Sequence, residues 1–120
     1  MRIAARLADE WHTWGTPDVF RHKSRVMDER CAEVGRDPAT IRRSTGASIG
    51  ISADAGRLAA LREEDSTAVL GTPAQVAEQV AAYRAAGADA FVVRDTAAVP
   101  LEPLLEMLAL FQAEVTPRLR

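Results

Sequence analysis

The chain has 120 residues, 48% of them apolar, enough to bury the core of one small domain and too many for a disordered tail. Its 15 basic and 17 acidic residues leave a formal charge of -2, which argues against a nucleic-acid surface, since that needs a concentrated basic face. A single cysteine, Cys31, excludes an internal disulfide and fits a reducing cytoplasm, and no apolar run approaches the roughly 20 residues of a membrane helix.

Met1-Arg2-Ile3 is not a signal peptide, because charges interrupt it before any apolar region. Residues 3–8 are helical in composition but uncapped, so they read as the last turns of a helix, and the sequence is expected to begin part-way through an element. Asp9 to Trp14, DEWHTW, predicts a short strand, because Trp and Thr favour a pleated surface. Gly15-Thr16-Pro17 is a helix start. The helix runs from Asp18 to about Val34, with Val19, Lys23, Met27, Cys31 and Val34 along one stripe, and Gly35 closes it. Asp37-Pro38 marks a turn. Ile41 to Ser52 predicts a strand in which Ser44, Gly46, Ser48 and Gly50 alternate with other residues, and its glycines point to a bulge or to close approach by another backbone. Asp54 to Glu64 fits a short helix with Asp54 as cap and Leu58 and Leu61 facing inward, and Ser66 to Leu70 reads as a connector.

The stretch from Gly71 to Asp95 carries the densest signals. Thr72 and Gln75 form a capping box around Pro73 at the first helical position. Val76, Val80 and Tyr83 recur at helical spacing, and Gly87 ends the helix. Ala90 to Val93 is a continuous apolar run suited to a strand covered on both faces. Thr96 to Val99 reads as a loop. Leu101 to Val115 is an amphipathic helix with Leu101, Leu104, Leu105, Leu108, Phe111 and Val115 on one face, and Pro117 ends it. About three strands alternating with helices imply an α/β fold with a parallel sheet and right-handed crossovers. Gly-Thr-Pro recurs at 15–17 and 71–73, either as shared capping grammar or as the trace of two related β/α units.

Candidate functional residues are few. The chain has no GxGxxG, no phosphate-binding P-loop, no HExxH and no CxxC. No metal site is expected from two distant histidines, His12 and His22. His22 lies between Arg21 and Lys23 and reads as a solvated surface residue. His12, between Trp11 and Trp14, is either a packed residue or a site residue. Trp14, at a strand end, is a core aromatic or the wall of a planar cofactor. Thr72 and the first-turn amides either cap their helix or bind a phosphate. Arg94, next to Asp95, either clamps an anionic cofactor tail or belongs to a structural ion pair.

Four stretches carry a family resemblance: RIAARLADEWHTWG at 2–15, CAEVGRDPATIRRS at 31–44, GTPAQVAEQVAAYRAAGADAFVVRD at 71–95, and the closing helix through Val115. In this order they resemble the C-terminal part of the luciferase-like monooxygenase family, in particular its deazaflavin (F420)-dependent branch. The resemblance implies that residues 1–120 are the C-terminal part of a (β/α)8 TIM-barrel-like domain binding FMN or F420. It implies hydride transfer to, or oxygenation of, a small organic substrate, with Thr72 and Arg94 nearest the cofactor phosphate and Trp14 and His12 near the ring or substrate. No catalytic base is assigned. Family members usually carry Gly where this chain has Glu10 and Asn where it has His12. A complete barrel takes roughly 250 residues, so a homo-oligomer or a complementing barrel fragment is expected. The alternatives are a non-catalytic barrel remnant or assembly module, and a small stand-alone α/β binding domain.

Overall fold

A computed structural model describes residues 1–94 and 100–120; Asp95 and the loop expected at Thr96–Val99 lie outside the described residues. The elements follow in the order α1 (Arg2–Leu7), β1 (Glu10–His12), α2 (Pro17–Glu33), β2 (Arg42–Ile51), α3 (Ala55–Glu64), β3 (Val69–Gly71), α4 (Pro73–Ala85), β4 (Ala90–Arg94) and α5 (Leu101–Leu110). Among the described residues the sheet has four strands, with β2 pairing with β1, β3 and β4. The β1–β2 and β2–β3 pairs are parallel, Glu10 aligning with Arg42 and Ile49 with Val69. The segment expected as a connector, Ser66 to Leu70, thus contains most of a third short strand. Three residues give too little sequence pattern to betray a strand, and this one exists because β2 offers it a partner edge.

The chain divides into two compact units, residues 1–46 with 83–92, and residues 47–82 with 93–120. In the first unit, Thr16 caps α2 by accepting from the Val19 amide, and Pro17 fills a position whose N–H would be unpaired anyway. The buried face of α2 is Phe20, Ser24, Met27 and Cys31; of the expected stripe Met27 and Cys31 are buried, while Val19, Lys23 and Val34 are not. Val19 and Val34 stay exposed, and Lys23 reaches Thr13 Oγ1 at 2.9 Å. A lysine ends in an ammonium that must be solvated or paired, so the buried face turns by one residue to put Phe20 inward. Met27 and Cys31 join Ala5 and Ile41 in a core cluster against which Trp11 packs. Arg43 reaches from β2 to the Ser24 carbonyl and the Asp28 carboxylate of α2, and its amide donates to Asp89 Oδ2.

In the second unit, Asp54 caps α3 by accepting from the Gly56 and Arg57 amides. Val76, Val80 and Ala77 form the buried side of α4. A glycine on β2, Gly50, makes room for Leu61 and Leu70, whose methyls stand at 2.8 and 2.6 Å from where its Cβ would be. The closing helix departs from expectation. None of α5 is buried, and its apolar face stays open, with Leu101 67% and Leu105 54% exposed. The chain continues as a π turn at Phe111–Val115, and Pro117 lies inside a terminal 3-10 turn at Thr116–Leu119 without ending the helix before it. Only Val115 of the predicted apolar face reaches the core.

The two Gly-Thr-Pro segments share the conformation of their glycine. Gly15 and Gly71 both sit at φ +143°, and in each case a Cβ would strike the residue four positions on, Val19 or Gln75. Gly15→Ala and Gly71→Ala are each expected to lose about 1–3 kcal/mol, from the positive φ and the steric conflict together. Equilibrium urea denaturation measures both; two neutral substitutions would show that the turns relax freely.

Candidate functional site

In the first unit β1 ends at His12, short of the strand expected through Trp14, and Trp14 follows two residues beyond it. His12 Nδ1 lies 2.9 Å from Ser44 Oγ, which β2 holds buried in register with His12. Trp14 stands edge-on to the His12 ring, with centroids 4.5 Å apart and planes at 74°. The floor under Trp14 is Gly46: a Cβ there would come within 2.8 Å of the indole Cζ3 and closer still to the Val92 carbonyl. The glycine therefore admits a neighbouring backbone, as expected for β2, and also a tryptophan ring. Trp14 remains 45% exposed and His12 is exposed. The group presents an aromatic surface beside a ring nitrogen, with the serine hydroxyl fixing the imidazole. His22 is an exposed residue of α2 and takes no part.

In the second unit Arg94 ends β4. Its Nε and Nη2 donate to Ser48 Oγ at 3.3 and 3.2 Å, and Nη2 lies 3.6 Å from Asp65 Oδ2. Asp65 sits just after α3 and accepts from the Thr67 hydroxyl at 2.7 Å and the Thr67 amide at 2.9 Å. The Thr67 hydroxyl is the main reason that the Asp65 carboxyl is held below its ordinary value. Burial works against this, and the Thr67 amide, Ser48 and the Arg94 charge add to it. Asp65 had no signal in the sequence beyond its Asp-Ser-Thr turn, because its partners Ser48 and Arg94 come from distant strands.

A depressed carboxylate contributes stability above its unfolded pKa and loses it as the pH falls through the folded one. The stability gap between the wild-type chain and Asp65→Asn is thus expected to be present at neutral pH and to close below about pH 4. Thermal denaturation of both across that range tests it; a gap independent of pH would mean that the network does not depend on the charge.

Thr72 opens α4 with its capping box formed. Its amide donates to Gln75 Oε1 at 2.9 Å, its hydroxyl accepts from the Gln75 amide at 3.4 Å, and its carbonyl accepts from the Val76 amide at 2.9 Å. Gln79 extends the arrangement by donating to the Leu70 carbonyl at 2.8 Å and to that of Gln75 at 3.0 Å. Pro73 has no N–H to offer. The structure thus brings His12 and Trp14 together, gives Arg94 two polar partners of its own, and sets Thr72 among its helix amides. Asp95 lies outside the described residues. Among the described residues no three His, Cys, Asp or Glu side chains converge as a metal site would need, and no helix is long and apolar enough to cross a membrane.

No family model and no curated protein sequence matches the chain. Among solved structures, the crystal structure of long-chain alkane monooxygenase (LadA) is similar over 98% of this chain, with a TM-score of 0.74 and 15% sequence identity. The chain spans 38% of that protein's length. The likeness establishes a shared fold: α/β, with an open, mostly parallel sheet and flanking helices, in the manner of a partial TIM barrel.

Proposed function

We propose that the chain is the C-terminal part of a luciferase-like oxidoreductase that binds FMN or F420 and acts on a small organic substrate. The observation that carries the reading is the fold likeness of nearly the whole chain to a monooxygenase. The four resembling stretches of sequence support it independently of that comparison.

The residues fit the two parts of such a cofactor unequally. Trp14, half-exposed over a glycine and edge-on to His12, suits a planar heteroaromatic ring, which aromatic faces bind by offset stacking. Arg94 suits a phosphate less well, because Asp65 already answers part of its charge. Thr72 offers a helix start whose amides are partly taken by its own cap. When bound, the flavin or deazaflavin supplies the hydride chemistry. The chain's own part is to stack, orient and fix: in the first unit Trp14 suits the ring, with His12 beside it as a hydrogen-bonding group held by Ser44; in the second unit Arg94 and Thr72 are the groups that suit an anion.

Titration of the purified chain with FMN and with F420, followed by tryptophan fluorescence, tests the reading. Saturable quenching is expected, weakened about tenfold or more in Trp14→Ala by loss of a stacking contact. Absence of binding of either cofactor at high micromolar concentration defeats the proposal. It would favour the second reading, a non-catalytic barrel remnant or assembly module, to which the occupied state of Thr72 and Arg94 lends support.

A further inference from the structure

Two short helices leave apolar stripes in water, and each stripe is bordered by charge of one sign. On α1, Ile3 and Leu7 are 76% and 77% exposed, and Arg2 and Arg6 flank them, Arg2 also lying 4.0 Å from the Glu33 carboxylate of its own chain. On α5, Leu101, Leu105 and Leu108 are exposed, and Glu102 and Glu106 flank them. In both helices the charged pair repeats at a spacing of four residues, the same as the first two apolar residues beside it. Leucines in such numbers on one face are not a random surface; exposed apolar stripes of this kind mark contacts.

We propose that these stripes pack on each other between two copies of this chain, α1 of one copy against α5 of the other. Charge complementarity selects this occupant. The Arg2 and Arg6 flank lies about 100° to one side of the Ile3–Leu7 stripe, and the Glu102 and Glu106 flank lies about as far to the opposite side of the leucine stripe, at 100° per residue. When two helices face each other in parallel, opposite flanks fall on the same side of the seam. Arg2 and Arg6 then meet Glu102 and Glu106 while the apolar stripes close. Parallel neighbours are also the arrangement of helices around a β/α barrel. Each copy owns both stripes, so a dimer in which the contact forms twice about a two-fold axis would leave no stripe open. α1 pairing with itself antiparallel would instead bring four arginines together, and α5 with itself four glutamates; paired with themselves in parallel, the charged flanks fall on opposite sides of the seam and meet no opposite charge.

The proposal does not depend on any cofactor, and sedimentation velocity from low to high micromolar concentration tests it on the full chain. The expected result is a monomer–dimer equilibrium. Leu105→Asp, an exposed substitution that leaves the core untouched, is expected to weaken the dimer at least about tenfold. Arg6→Glu and Glu106→Arg are each expected to weaken it, and the double variant Arg6→Glu/Glu106→Arg to recover most of the loss. Circular dichroism checks that each variant keeps its helices. A wild-type chain that stays monomeric throughout, a dimer indifferent to Leu105→Asp, or a charge reversal that does not rescue each overturns the proposal. A chain that associates only with a different protein overturns it as well.

Discussion

Phe20→Ala is expected to destabilise the chain by about 3–5 kcal/mol, the range for deleting a buried aromatic ring and leaving its cavity behind. Phe20 has no solvent exposure and stacks on Trp11, with ring centroids 6.2 Å apart and planes at 21°. It is among the largest fully buried side chains, in the unit that also holds the His12–Trp14 pair. Domains of this size are stable by only about 5–15 kcal/mol, so the loss consumes a large part of the margin. Urea denaturation followed by circular dichroism reads the loss. A shift worth less than about 1 kcal/mol would show that the ring is not seated where the structure has it.

Gly46→Ala is expected to lose about 3 kcal/mol, at the upper end for overpacking, and to move Trp14. The new methyl would meet the Val92 carbonyl, Val92 Cβ at 3.0 Å and the Trp14 ring at 2.8 Å. A flexible side-chain tip can yield, but here one of the three neighbours is backbone held by strand pairing, so the strand or the indole has to shift. The two contributions separate in a Trp11→Phe background, where Trp14 is the sole tryptophan. Unfolding gives the stability, and the native emission spectrum of Trp14 reports its surroundings. Loss of stability with an unchanged Trp14 spectrum would place the strain on Val92 alone. No loss of either kind would mean that the close approach at Gly46 is absent in solution. Because Trp14 is the residue proposed to face the cofactor ring, the same substitution is expected to impair FMN or F420 binding, in a chain still folded enough to be titrated.

The two groups of candidate residues, one in each unit, are stabilised differently. His12 and Trp14 depend on the β1–β2 register, which sets His12 opposite Ser44. Arg94 depends on Asp65, a group supplied by the turn after α3. The first is a shape, fixed by packing over a glycine; the second is a charge balance, and pH reaches it.

What the sequence determined by itself was everything written in a few neighbouring residues. Thr16-Pro17, Asp54 and Thr72-Pro73-Gln75 start helices where the caps say so, and Gly35 and Gly87 end them with positive φ. These signals are local because a cap bonds an amide two or three residues away. The alternation of helices and strands, and with it the α/β class, follows from them. The tertiary structure alone decided which partners distant residues find. It turned the buried face of α2 from Val19 to Phe20, made a strand of Val69–Gly71 by giving it the edge of β2, and joined Arg94 to Ser48 and Asp65. It also left the leucines of α5 in water although their spacing called for a core. Periodicity tells a helix which side is apolar, but what covers that side is set by residues far along the chain, or on another chain altogether.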